Sequence, residues 1–280
     1  MGIQAGSLWQ HEGLDFFGLS LSGIHTSLSI PLHQICFDVA QGLPFAVKMR
    51  KFFITHGHLD HAAGIPYIIS QKAMHNEPAP QFYMPASLAD PITEIIRLWE
   101  KIEEHQYKFE FHKVDKKTCV PLNLQHEVRC FPTVHRIESF GYSLVNKNKK
   151  LKPEFQNLSG PEIQQAKASG LVVDEIQEKI LMSFTGDTQI EFLDLSPEIK
   201  KSRILFLEAT YLDERKSISD AKKWGHTHLD EIIPRLDEIE SEKIALIHVS
   251  SRYSTPEILE ILKRKIPLIH QERVILFPGR

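Results

Sequence analysis

The sequence predicts an α/β fold in which two mixed β-sheets pack face to face and helices cover their outer sides. Three observations predict it. Runs rich in β-branched and aromatic residues come first in hairpin-like clusters and then alternate with helical patterns. The chain has 280 residues and a 42% hydrophobic share, enough to bury a sizeable core. Histidines and carboxylates stand directly after several apolar runs, where α/β sheets gather ligand sites.

Residues 14–21, 25–31 and 34–37 read as three short strands punctuated by Gly23 and His33. Phe52, Phe53 and Ile54 make a short buried strand. The pattern over 62–74 is helical, with Pro66 in the first turn, where a missing N–H is tolerated. Residues 82–84 are a strand. The spacing over 91–106 predicts a helix with Ile92, Ile95, Ile96, Trp99 and Ile102 on one face and Asp90 as N-cap. Strands follow over 107–114, 126–131, 140–145, 179–184, 202–207, 243–249 and 274–277, with helices over 228–239 and 256–265. The segment 146–178 differs. It is polar and opens with Lys147, Lys149, Lys150 and Lys152. It reads either as a solvated loop with a short helix or as an arm that touches a polyanion. The whole is expected to be one domain, 1–280, with 146–178 as an arm-like insertion.

Composition narrows the function classes. Lys and Arg number 33 and Asp and Glu 36, so the net charge is −3. That gives no global attraction to nucleic acid, and RNA binding would need a local basic patch. Gly and Pro are scattered without a period, which excludes collagen-like and low-complexity chains. No apolar run approaches the roughly 20 residues of a membrane span. The sequence opens without a basic segment leading into an apolar core, so a cytoplasmic location and no membrane partner are expected. Cys36, Cys119 and Cys130 are odd in number and lack CxxC spacing. They predict neither a disulfide framework nor a cysteine zinc site.

The sharpest signal follows strand 52–54: Thr55-His56-Gly57-His58-Leu59-Asp60-His61. In extended backbone alternate side chains share a face, so His56 and His58 point together while His61 points elsewhere. One turn can then feed two adjacent metals, with Gly57 allowing a close bend. Imidazole and carboxylate donors without thiolate suit zinc, with manganese or iron as substitutes. The same layout recurs along the chain. His135 follows strand 126–131, Asp187 follows 179–184, Glu208 ends 202–207 and His248 ends 243–249.

HxHxDH followed by a distant His, Asp and His resembles the metallo-β-lactamase fold hydrolases. The match extends further. Phe184-Thr185-Gly186-Asp187-Thr188, Leu207-Glu208-Ala209-Thr210, Gly225-His226-Thr227-His228 and His248-Val249-Ser250-Ser251-Arg252-Tyr253 resemble consecutive motifs of short-form tRNase Z, the ribonuclease that trims tRNA 3′ ends. The resemblance implies an αββα sandwich and a two-zinc site. His56, His58 and His135 would hold one ion, Asp60, His61 and His248 the other, and Asp187 would bridge them. It implies that Asp60 orients or deprotonates the attacking water, while Glu208 and His226 protonate the leaving 3′-oxygen. Arg252 would either grip a phosphate bidentately or pair with an internal acid. Lys147, Lys149, Lys150 and Lys152 would hold RNA phosphates. The implied activity is zinc-dependent removal of the 3′ trailer from precursor tRNA by a homodimer, leaving a 3′-hydroxyl on the tRNA, with no role for DNA. The competing expectations are a small-molecule phosphodiesterase or related hydrolase on the same fold, and a non-catalytic RNA-binding subunit.

Overall fold

Two seven-stranded sheets carry the chain in the computed structural model, which describes residues 6–277. The first sheet contains β1 (Ser7–His11), β2 (Leu14–Leu21), β3 (His25–Ile30), β4 (Ile35–Phe37), β5 (Lys51–Phe53), β6 (Gln81–Pro85) and β7 (Glu110–Val114) in sequential order. The second contains β8 (Cys119–Pro121), β9 (His126–Pro132), β10 (Phe140–Leu151), β11 (Asp174–Phe184), β12 (Ile204–Glu208), β13 (Lys243–Ile247) and β14 (Val274–Leu276), again in order. Pairing is antiparallel from β1 to β4 and parallel from β4 to β7. It is likewise antiparallel from β8 to β11 and parallel from β11 to β14. Each half of the chain therefore repeats one plan.

The helices are α1 (Pro44–Val47), α2 (Leu59–Ala62), α3 (Ile65–Met74), α4 (Ala86–Glu103), α5 (Gly160–Ala168), α6 (Phe192–Leu195), α7 (Ile218–Trp224), α8 (Leu229–Ile232) and α9 (Thr255–Lys265). Strand alternation decides what packs where. Phe37, Phe53, Phe184 and Phe206 point between the sheets, with Tyr142 among them. Cys36, Phe52 and Phe82 point outward against Ile65, Ile68 and Ile69 of α3 and Ile92 and Ile96 of α4. Leu205, Leu207, Ile244 and Leu246 point outward against α8 and α9. The αββα sandwich expected from the sequence is the architecture observed. Among the described residues no helix is long and apolar enough to cross a membrane.

Several expected elements differ in detail. The helix expected over 91–106 begins at Ala86 and carries Pro91 inside it. Pro91 is exposed, so the carbonyl it fails to satisfy is left to solvent. The start of α4 is held by Glu138, whose carboxylate accepts the Ser87 N–H at 2.9 Å, while the expected cap Asp90 pairs with Lys113 at 2.8 Å. Of the expected buried face, only Ile92 and Ile96 are buried; Ile95, Trp99 and Ile102 are exposed. The helix expected over 228–239 is a single α-turn, α8, followed by a 3-10 stretch over 233–238. Pro234 explains the change, because it cannot donate to the carbonyl four residues back. The segment 146–178 contains the short helix expected of it, α5, but its ends are strand rather than loop. β10 and β11 run on into a long hairpin, paired from Tyr142↔Phe184 to Leu151↔Asp174, and α5 lies between its two strands in sequence.

Candidate metal centre and active site

The parallel strands end at one place. β4 delivers Asp38, β5 delivers the loop with His56 and His58, and α2 carries Asp60 and His61. From the second sheet, β9 leads to His135, β11 to Asp187, β12 ends on Glu208 and β13 leads to His248. The structure brings the expected seven donors into two adjoining groups, His56, His58, His135 and Asp187 in one and Asp60, His61 and His248 in the other, and a third set, Asp187, His226 and His248, overlaps them; within each the donor atoms lie within 4.8 Å.

The spacing fits a metal. Four ligands on a tetrahedral zinc at roughly 2.0–2.1 Å stand about 3.3 Å apart. Here His56 Nε2 lies 3.1 Å from His58 Nδ1, which lies 3.3 Å from His135 Nε2. His248 Nε2 is 3.3 Å from both Asp60 Oδ2 and Asp187 Oδ1, and His61 Nε2 is 3.3 Å from Asp187 Oδ1. His61 Nε2 and Asp187 Oδ1 are buried and 3.3 Å apart, and neither has a well-aligned hydrogen bond. Orphaned polar atoms at such depth are costly, and a cation between them would satisfy both.

The outer nitrogens are fixed by neighbours, as metal-ligating imidazoles require. His56 Nδ1 meets the Thr55 hydroxyl at 2.9 Å, and His248 Nδ1 meets the Thr210 hydroxyl at 3.1 Å. His135 Nδ1 donates to the Gly225 carbonyl at 2.8 Å. His61 Nδ1 donates to Asp38 Oδ2 at 2.7 Å. Asp38 is fully buried and also accepts the Thr55 N–H at 2.7 Å. The Gly23 N–H points at Asp60 Oδ2 from 2.9 Å.

Electrostatics follow from this packing. Burial pushes the imidazoles of His56, His58 and His135 below their ordinary range, which leaves them neutral with a free lone pair. Burial would also lower His61, but the carboxylates of Asp187 and Asp38 outweigh it and hold the ring protonated when no cation is present. Burial would raise Asp60, yet its contacts with His248 and His61 hold it well below the usual carboxylate range. The donor set suits zinc, and the excess of imidazoles over carboxylates argues against calcium or magnesium.

Beside the donors sits a second pair. Glu208 is fully buried. Its Oε2 accepts the N–H and the hydroxyl of Thr210, both at 2.9 Å, and its Oε1 accepts the Thr227 N–H at 3.1 Å. Oε1 also lies 2.9 Å from His226 Nδ1. Burial opposes protonation of His226, but Glu208 overrides it and raises the imidazole to about 9. His226 stays partly accessible, with its ring stacked beside His248 at 5.3 Å.

Two glycines matter here. Gly186 adopts φ +60°, and a Cβ there would strike Thr55 at 2.6 Å. Gly225 adopts φ +79°, and a Cβ there would meet His135 Nδ1 at 2.7 Å. At Gly57 a Cβ would meet Leu88 at 3.4 Å, an ordinary contact, so no protein atom there requires a glycine.

The remaining expected site residues lie apart from the donor groups. Arg252 follows the His248 turn and is exposed, its guanidinium 3.5 Å from the Ser250 hydroxyl. Lys147 is ion-paired with Glu127 on the hairpin, while Lys149 and Lys150 are exposed there. Lys152 lies just past the end of β10. Sequence reasoning missed Asp38, Thr55 and Thr210. Asp38 had the same signal as Asp187, a carboxylate just after a short apolar strand.

Comparison with known proteins places this geometry. The Beta-lactamase superfamily domain matches residues 40–249. The tRNase Z TRZ1 of Arabidopsis thaliana is 32% identical over 254 residues, covering 89% of this chain and 90% of that protein. The chloroplastic tRNase Z TRZ2 of the same plant is 32% identical over 249 residues, covering 87% and 69%. The crystal structure of human tRNase Z, short form, superposes with a TM-score of 0.56 at 18% identity, covering 85% of this chain and 92% of that one.

Proposed function

Since the chain belongs to the tRNase Z family of the β-lactamase superfamily, and is thereby a tRNA-processing hydrolase, we propose that it is a two-zinc endoribonuclease that removes the 3′ trailer of precursor tRNA. The single observation that carries the finer reading is the meeting of seven candidate metal donors with the Glu208–His226 pair at the strand ends. His56, His58 and His135 would hold one ion, Asp60, His61 and His248 the other, and Asp187 both. When bound, the ions supply a hydroxide near neutral pH and offset charge on the phosphoryl oxygens.

The chain's own groups do the rest. Asp60, kept ionised and tied to the Gly23 N–H, accepts a hydrogen bond from the attacking water and orients it. His226, kept protonated by Glu208, gives a proton to the departing 3′-oxygen. The products are then a tRNA with a 3′-hydroxyl and a trailer with a 5′-phosphate. Arg252 and the hairpin lysines hold backbone phosphates. A homodimer belongs to the same reading, and the apolar residues Ile95, Leu98, Trp99 and Ile102 exposed along α4 offer it a surface. A sedimentation mass of one chain, 32.2 kDa, argues against it.

The test is incubation of the metal-assayed protein with a precursor tRNA and mapping of both product ends. Trailer release by the wild type and none by a folded Asp60→Ala variant is expected. Hydrolysis of bis(4-nitrophenyl) phosphate with the tRNA left intact would instead point to a small-molecule phosphodiesterase. No hydrolysis of either substrate by a zinc-loaded protein would point to a binding subunit.

A further inference from the structure

The loop after β9 and the turn after α7 meet at Gly225, and Arg136 of the loop and Trp224 at the helix end are exposed and unused by the mechanism. Trp224 ends α7 and is 50% exposed. The Arg136 guanidinium lies over its indole, 4.8 Å from the ring centroid. The arrangement is fixed from below. The Gly225 N–H returns to the Lys222 carbonyl and the His226 N–H to the Ala221 carbonyl, both at 3.0 Å, which closes the helix in a Schellman turn. Gln189 holds the Lys222 carbonyl at 3.0 Å. His135, the residue before Arg136, is tied to Gly225. Among the described residues the exposed large aromatics are Tyr67, Trp99 and Trp224. Tyr67 and Trp99 sit on α3 and α4, whereas Trp224 is two residues from the proton donor His226.

We propose that Trp224, braced by Arg136, is a stacking platform for the base of the nucleotide whose 3′-oxygen leaves. This rests on the ribonuclease reading and specifies which part of the substrate the indole meets. A rigid indole with a cation on one face offers the other face to a base. Every base has a π-face, so such a platform fixes the nucleotide while tolerating any identity at that position.

The experiment titrates the metal-loaded protein with a product tRNA that ends at that nucleotide, either intact or abasic at its last position, and reads fluorescence anisotropy. The wild type should bind the abasic tRNA roughly ten-fold more weakly. Trp224→Ala should bind both at that weaker level, and Trp224→Phe should stay near the wild type, which controls for folding of the turn. Equal binding of both tRNAs by the wild type overturns the platform. So does undiminished discrimination by Trp224→Ala. Cleavage of precursor tRNA, assayed alongside, judges the ribonuclease reading separately. A protein that discriminates the base but cuts nothing keeps the platform and loses the nuclease.

Discussion

Glu208 sits where water cannot reach it, and the hydrogen bonds from Thr210 and Thr227 stabilise its buried charge. That charge decides the protonation of His226. The imidazole is raised above its ordinary range, to about 9 when no cation is present, so it stays protonated across the neutral range and loses that form on the alkaline side. The catalytic turnover is therefore expected to hold level from neutral pH and fall on the alkaline side. In Glu208→Gln burial acts without the carboxylate, the imidazole drops, and the alkaline fall moves to lower pH. His226→Ala should lower kcat by about 100-fold or more, with KM changed only a few-fold. A pH–rate profile of the three proteins on precursor tRNA checks this. An alkaline limb that stays in place in Glu208→Gln would remove Glu208 from the proton path.

Among the elements, the hairpin of β10 and β11 is the one furthest from its expected form. Both its faces are solvated beyond Val145, so no apolar period marks it as strand, and cross-strand pairs such as Lys147 with Glu178 and Lys150 with Glu175 take over. Arg129 fastens its base, with two hydrogen bonds to Glu178 at 2.7 and 2.5 Å and one to Glu127 at 2.7 Å. Lys147 serves that anchor, which leaves Lys149 and Lys150 as the exposed cations of the strand. Replacing both by Ala should weaken tRNA binding and flatten the dependence of log K on log salt by about one for each phosphate that the two lysines neutralise. Titrations at several salt concentrations measure it, and an unchanged slope would take the hairpin out of RNA binding. α4 shows the other kind of illegibility. Its start depends on Glu138, far along the chain, and no local pattern announces such a cap. The donor-bearing turns were legible because each follows a short apolar strand, and their chemistry is dense in a few residues.

At the scale of the molecule, the donors come from both halves of the chain. His56, His58, Asp60 and His61 follow β5 of the first sheet, the last two on α2, and His135, Asp187 and His248 follow strands of the second. The sandwich itself was readable from strand composition and alternation. That the donors gather was readable from their shared place after apolar strands, while their division between two ions came from the resemblance, since spacing along the chain says nothing about distance across it. Ions held by both halves would bind the native state and not the unfolded chain, so they should stabilise the whole. At 100-fold excess over Kd the gain is about 2.7 kcal/mol per ion, or roughly 5 °C in Tm for each in a chain of this size. Dialysis against EDTA should remove about two zinc per chain and lower Tm by that order, with recovery on adding zinc back. Loss of the metal with no change in Tm would mean that the donors do not clasp the halves together.

The repeated plan of the two sheets has one more consequence. The two halves carry different shares of the site: the earlier holds the compact histidine turn, and the later holds Asp187, His226 and the hairpin. Neither half has a full set of tools, so any chemistry resides at the seam between them.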